Sequence, residues 1–183
     1  TPPKAGTDAD KIADIAQKQI ERLINQNIDG LILYDIQNEE SRTSVKRPFP
    51  FMETLDPFDY SQNQLVNLNV PKIVYRSVGK YSESELSKYL SQAEKTNGAT
   101  VFVGAASKKQ GVTLSLKQAY ELKQTQCPEL PIGGVVIPER HQSKGDEHLR
   151  VFEKISMGCK FFVSQGVYDL NASKNFLSDY YYY

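Results

Sequence analysis

The chain has 183 residues, 39% of them hydrophobic, which is enough for one compact domain with a sizeable core and no disulfide or metal staples. Lys and Arg together number 22, as do Asp and Glu, so the basic surface that nucleic-acid or anionic-membrane binding requires is not written here. Two isolated cysteines, Cys127 and Cys159, exclude a disulfide framework and a CxxC zinc or redox motif, and no apolar run approaches the ~20 residues of a membrane span.

The opening residues also lack the basic and apolar regions of a signal peptide, so the expected location is the cytoplasm. Thr1 at one end and the run Tyr180 to Tyr183 at the other suggest a fragment of a longer protein.

Over residues 7–27, Ile12, Ile15, Ala16, Ile20, Leu23 and Ile24 recur at helical spacing, with Thr7 or Asp8 as the cap. Residues 30–34 form a short, almost continuous apolar run, as a strand covered on both faces needs. The stretch 35–55 carries charges, prolines and no period, and predicts a long loop, with a short helix over 60–68. Beyond Pro71 the sequence alternates. Residues 72–78, 100–104, 132–137 and 160–164 are strand-like; residues 83–95, 114–125 and 145–157 are helical.

Such alternation predicts βαβ units on a parallel sheet. The absence of GxGxxG and GxxxxGK[ST] disfavours an open dinucleotide-binding sheet and favours a (β/α)8 TIM barrel. A whole barrel typically needs ~250 residues, so the expectation is a partial barrel, a single domain over 1–183 whose C-terminal units are missing.

In a parallel α/β fold, ligands bind beyond the carboxyl ends of the strands. Those ends read Tyr34-Asp35, Tyr75-Arg76, Gly104 to Ser107, Pro138-Glu139-Arg140-His141 and Gln165. Singly, each has a structural explanation: Asp35 capping a turn, Arg76 on the surface, Glu139 and Arg140 as a local ion pair. As a set they predict a ligand rim. On the following helix Glu147, Arg150 and Lys154 fall on one face, either as an ion pair with a solvated lysine or as a wall for an anionic ligand. His141 and His148 lie seven residues apart with no third ligand of matching spacing, so no metal site is expected and His148 reads as a helix-surface residue.

The run from Gly133 to Asp169, with Pro138-Glu139-Arg140-His141, a helix and then a strand ending in Gln165, resembles the central region of methylenetetrahydrofolate reductases. Pro2-Pro3-Lys4 resembles the Pro-Pro-Arg/Lys after that family's first strand. The resemblance implies a flavoprotein barrel that passes hydride from NAD(P)H to FAD and reduces methylenetetrahydrofolate to methyltetrahydrofolate, in one-carbon and methionine metabolism. It would place Glu139 and His141 along the flavin's phosphate and ribose, with Glu147, Arg150 and Lys154 continuing that wall. Gln165 would sit at the catalytic face, where folate and nicotinamide alternate. Tyr75 stands at the place of a flavin-contacting histidine, and Arg42 at that of a basic loop residue.

Where the family carries Arg-Gly-Asp, this chain reads Val103-Gly104-Ala105, and the family's acidic residue would lie before Thr1. Two alternatives therefore stand beside the reductase: a flavin-independent barrel that binds a folate or transfers its methyl group, and a non-catalytic subunit of the same superfamily. Unclosed strand edges would favour a homo-oligomer.

Overall fold

Residues 1–37, 51–104 and 113–183 are described by the computed structural model of the chain. Five strands form one parallel sheet in the order β1-β2-β3-β4-β5. They are β1 (Leu31–Leu33), β2 (Lys72–Ser77), β3 (Gly98–Val103), β4 (Ile132–Val136) and β5 (Phe161–Ser164). The spatial order equals the chain order, so every crossover steps in the same direction. With right-handed crossovers this places all the connecting helices on one side of the sheet, whereas a doubly wound sheet reverses at a switch point. The sheet curls into a half-barrel with alternating helices, in agreement with the expected partial α/β barrel.

The helices are α1 (Ala9–Leu23), α2 (Pro57–Gln64), α3 (Glu83–Ala93), α4 (Leu116–Gln126), α5 (Pro138–Lys144), α6 (Glu147–Ser156) and α7 (Leu170–Tyr182). Their starts are set locally. Ser82 with Glu85 and Ser115 with Gln118 form capping boxes on α3 and α4, while Asp8, Asp56 and Asp169 accept backbone N–H bonds at the starts of α1, α2 and α7.

The sequence reading missed α5 and α7, and it began α2 three residues late. Pro138 opens α5 because its fixed φ suits the first turn of a helix. Tyr180, Tyr181 and Tyr182 continue α7 and Tyr183 caps it, with Phe152 stacked on Tyr180 at a centroid distance of 5.1 Å.

Side-chain alternation divides each strand between two faces. Val74, Phe102 and Ile132 point to the helices and join Leu86, Leu90, Ala119 and Tyr120 in the main core, while Leu33 packs on Ala16, Ile20, Tyr60 and Leu65 in a second cluster. The neighbouring residues Tyr75, Val101 and Gly133, paired in register with Phe161, form a layer on the opposite, concave face. Gly133 is required there: an ideal Cβ would lie 2.5 Å from the Phe161 ring.

Candidate functional site

A cavity of about 490 Å³ opens at the carboxyl ends of the strands, within the size range of small-molecule sites. Tyr34 to Gln37 border it from the end of β1, Tyr75, Val103 and Val135 rise into it from the concave face, and Ser164, Gln165 and Gly166 close the far side, with Thr1 at the edge. The rings of Tyr34 and Tyr75 lie 4.7 Å apart. Burial, reinforced by Tyr34, pushes the Tyr75 hydroxyl up to about 12, so this ring is neutral and offers both a donor and a flat apolar surface.

Asp35 is fixed from several sides. Its Oδ2 accepts from the Ser77 N–H and the Tyr81 hydroxyl, both at 2.9 Å, and its Oδ1 accepts from Lys80 Nζ at 2.6 Å. Ser77 Oγ donates to the Asp35 carbonyl at 3.0 Å, tying the end of β1 to the end of β2. The Asp35 side chain is 2% exposed, so its carboxylate serves these three donors and its part in the cavity is to fix the end of β1. Gln37 Nε2 donates to the Gly104 carbonyl at 3.1 Å and bridges to the end of β3.

Arg76, the residue after Tyr75, points the other way. It is 3% exposed, held in a two-pronged pair with Asp56, and its guanidinium lies 3.9 Å from the centroid of the Tyr89 ring. Burial opposes the charge on both partners, but each outweighs that penalty for the other: Arg76 holds the Asp56 carboxyl below its ordinary value, and Asp56 raises Arg76. The expectation of a surface Arg76 is corrected by strand alternation, which directs position 76 into the helix layer.

The predicted site residues therefore separate. Gln165 and Tyr75 line the cavity, and Gly104 lies at its margin through the bond to Gln37. The Gln165 backbone is pinned by its N–H bond to the Val136 carbonyl at 3.1 Å, and its exposed side chain makes no hydrogen bond with the described residues. Glu139 stands beside this group. Its Oε1 accepts from the Tyr168 N–H at 3.0 Å, a backbone bond that lowers the pKa of the carboxyl and holds the loop that follows Gln165. Glu139 does not form the expected ion pair with Arg140.

The other four residues lie outside the cavity lining, in the helix layer. Glu147 is fully buried; its Oε1 accepts from the Ile137 N–H at 2.9 Å and its Oε2 lies 3.3 Å from Arg140 Nε, so it clasps the junction of β4 and α5. Arg150 pairs with Asp146 through bonds of 3.2 and 3.1 Å, not with Glu147 as the sequence suggested. Lys154 is the reverse of a solvated lysine. Its Nζ donates to the Val135 carbonyl at 2.5 Å, its stem covers Gly134, and burial lowers its pKa although Glu147 partly opposes this.

His141, 5% exposed, turns toward α7: its Nε2 is 2.9 Å from Asp179 Oδ2, and its ring packs against His148 and Phe176. Asp179, from a later helix, brings a carboxylate oxygen close to both histidines, and His148 is half-buried rather than on an open helix surface. Arg42 and Ala105 to Ser107 lie outside the described residues.

Sequence reasoning missed Ile36, Gln37, Val135 and Ser164 as cavity residues. A parity rule could have found Val135: residues an even number of places before Gln165's strand partner positions share the concave face, and Val135 pairs with Val163.

Searches against protein-family models and against curated proteins give no match. Among solved structures, the chain is similar to a protein from Clostridium thermocellum described as binding two copies of 5-methyl-5,6,7,8-tetrahydrofolic acid, with a TM-score of 0.85 and 45% identity. That alignment covers 99% of this chain and 57% of the other, so the chain spans little more than half the length of that protein. Among the described residues, no helix is long and apolar enough to cross a membrane.

Proposed function

We propose that the chain binds a reduced folate of the 5-methyltetrahydrofolate class in the cavity at the strand ends, as the N-terminal and central part of a (β/α)8 barrel. The observation that carries this reading is the joint placement of Tyr75 and Gln165 in one cavity, in a chain 45% identical to a protein that binds this ligand. A pterin is flat, with alternating donors and acceptors along one edge. The tyrosine rings supply a stacking surface, and a primary amide supplies one donor and one acceptor group for that edge.

Between the two uses of a folate, binding or methyl transfer without flavin has the better support. Of the residues that the family resemblance gives to a flavin, His141 and Arg150 are committed to partners in the helix layer, and Glu147 and Lys154 to the backbone of Ile137 and Val135. The reductase reading, with FAD and NAD(P)H, rests on the sequence around Pro138 to Gln165 and on the place of Gln165 in the cavity. The remaining barrel strands, on this proposal, cover the half-buried concave residues Ile32, Ile73, Ala99 and Val163.

Calorimetric titration with 5-methyltetrahydrofolate tests the proposal. Saturable binding that weakens at least tenfold in Gln165→Ala supports it, and no binding at millimolar folate overturns it. Adding FAD to the same protein separates the two uses: a bound, reducible flavin whose bleaching by NADH or NADPH reverses with methylenetetrahydrofolate favours the reductase.

A further inference from the structure

Outside the folate cavity, one cluster of side chains has the chemistry of a ligand site that no comparison assigns. His141 on α5, His148 on α6 and Asp179 on α7 each present a ligand atom, and these three atoms lie within 4.8 Å of one another. We propose that they form a binding site for a divalent transition metal of the zinc type, which pins the three helices together.

The donor set, two imidazole nitrogens and a carboxylate oxygen, suits a borderline cation such as Zn²⁺ rather than Mg²⁺ or Ca²⁺, which favour oxygen alone. The spacing is close to what such an ion needs. Bonds of ~2.0–2.1 Å in a tetrahedral site put neighbouring ligand atoms ~3.3 Å apart; His141 Nε2 and Asp179 Oδ2 are 2.9 Å apart, and the His141 and His148 rings meet edge to face at 5.3 Å. Small rotations of exposed Asp179 and half-buried His148 supply the remainder.

A second observation points the same way. The Nδ1 atom of His148 is buried, yet it has no hydrogen-bond partner among the described residues. Buried ring nitrogens are ordinarily satisfied, so an unpartnered one in the same cluster as His141 and Asp179 marks a place adapted to something more than packing. Phe176 against His141 and Tyr183 against His148 form an aromatic surround. The Asp179 side chain is 57% exposed, which opens a route for the ion and room for a water as fourth ligand.

The role that follows is structural. The three ligands come from three successive helices of the layer behind β4 and β5, and none of them lines the folate cavity. A metal here would hold α7 against α5 and α6, adding to the small cluster of Val136, Val151 and Phe176 and to the contacts of Phe152 with Tyr180 and Tyr183.

The test uses Zn²⁺ alone. Protein stripped with chelator is titrated calorimetrically with ZnCl₂ and melted with and without it. The expected result is one Zn²⁺ per chain, a melting temperature raised by several degrees, and at least a hundredfold loss of affinity in both His148→Ala and Asp179→Asn. Circular dichroism and 5-methyltetrahydrofolate binding should match the unaltered chain in both variants. Absence of saturable binding overturns the proposal, as does stoichiometric binding retained in both variants, which would place the ion elsewhere, for example on Cys127 or Cys159. MgCl₂ in place of ZnCl₂ should leave the melting temperature unchanged; an equal rise with both salts is a general ionic effect and overturns it too.

Discussion

Replacing Gly133 by alanine tests the packing on the concave face of the sheet. The new Cβ would stand 2.5, 2.6 and 2.9 Å from three carbons of the Phe161 ring, on the paired strand. Carbon atoms rest at ~3.5–4.0 Å, so the ring or the two backbones must part by about 1 Å. Overpacking on this scale costs about 1–3 kcal/mol. In urea, where a chain of this size loses roughly 2 kcal/mol per molar, the unfolding midpoint should fall by about 0.5–1.5 M.

The cause is isolated by the companion change. Phe161→Ala alone removes a half-buried ring and should cost about 1–2 kcal/mol. In the double variant the alanine methyl occupies space the ring has vacated, so the two losses should not add, and the coupling should reach about 1 kcal/mol or more. A Gly133→Ala protein within 0.5 kcal/mol of the parent, or strictly additive losses, would refute the argument that this glycine exists to admit the Phe161 ring.

The buried pair of Arg76 and Asp56 predicts an acid-sensitive stability. The Asp56 pKa is lower in the folded chain than in the unfolded chain, where it is about 4. The pair's contribution is thus fully present above about pH 4 and is lost as pH falls through the folded value. Asp56→Asn keeps a competent cap on α2 but leaves Arg76 without a counter-charge, at a cost of about 2–3 kcal/mol, below that of a wholly enclosed pair because the Asp56 side chain keeps 30% exposure. Urea titrations from pH 3 to 7 should show the parent and variant curves converging at the acid end. For ligand binding, Tyr75→Ala should weaken 5-methyltetrahydrofolate at least tenfold through loss of its stacking surface, while Arg150→Ala, which removes only the exposed pair with Asp146, should leave the affinity unchanged in the same titration.

The alternating order of strands and helices was legible in the sequence because each element carries its own period and its own punctuation. Ser82 and Ser115 mark helix starts in plain view, and the apolar runs of β1 to β4 are too continuous for exposed loops. What the sequence concealed was direction. A strand end was read as a block, so Tyr75 and Arg76, or Glu139 and His141, were placed together on one rim, although adjacent strand residues face opposite ways and α5 turns His141 toward α7. Asp179 could not be recognised as a neighbour of His141 from spacing, because the two lie 38 positions apart with a strand and two helix junctions between them. Lys154 was invisible for a different reason. Its charge suggested solvent, and only the bare backbone of Gly134 beneath it gives its stem a place to lie.

Alternation also separates stability from ligand affinity at two consecutive valines. Val136 is 7% exposed and packs on Val151 and Phe176 in the helix layer, whereas Val135 projects into the cavity. Val136→Ala should therefore cost about 1.5–2.5 kcal/mol, from two lost methyl groups and the void they leave, with folate affinity unchanged. Val135→Ala should do the opposite: a small change in stability, since its side chain is only half-buried, and a measurable change in affinity, since it alters the floor on which the ligand rests. The backbone carbonyl of Val135 still accepts from Lys154 in either variant, so the helix layer keeps its anchor. Paired melting and titration of the two proteins reads the inner and outer faces of one strand against each other. Equal effects of the two changes on both quantities would mean that the cavity is not the folate site.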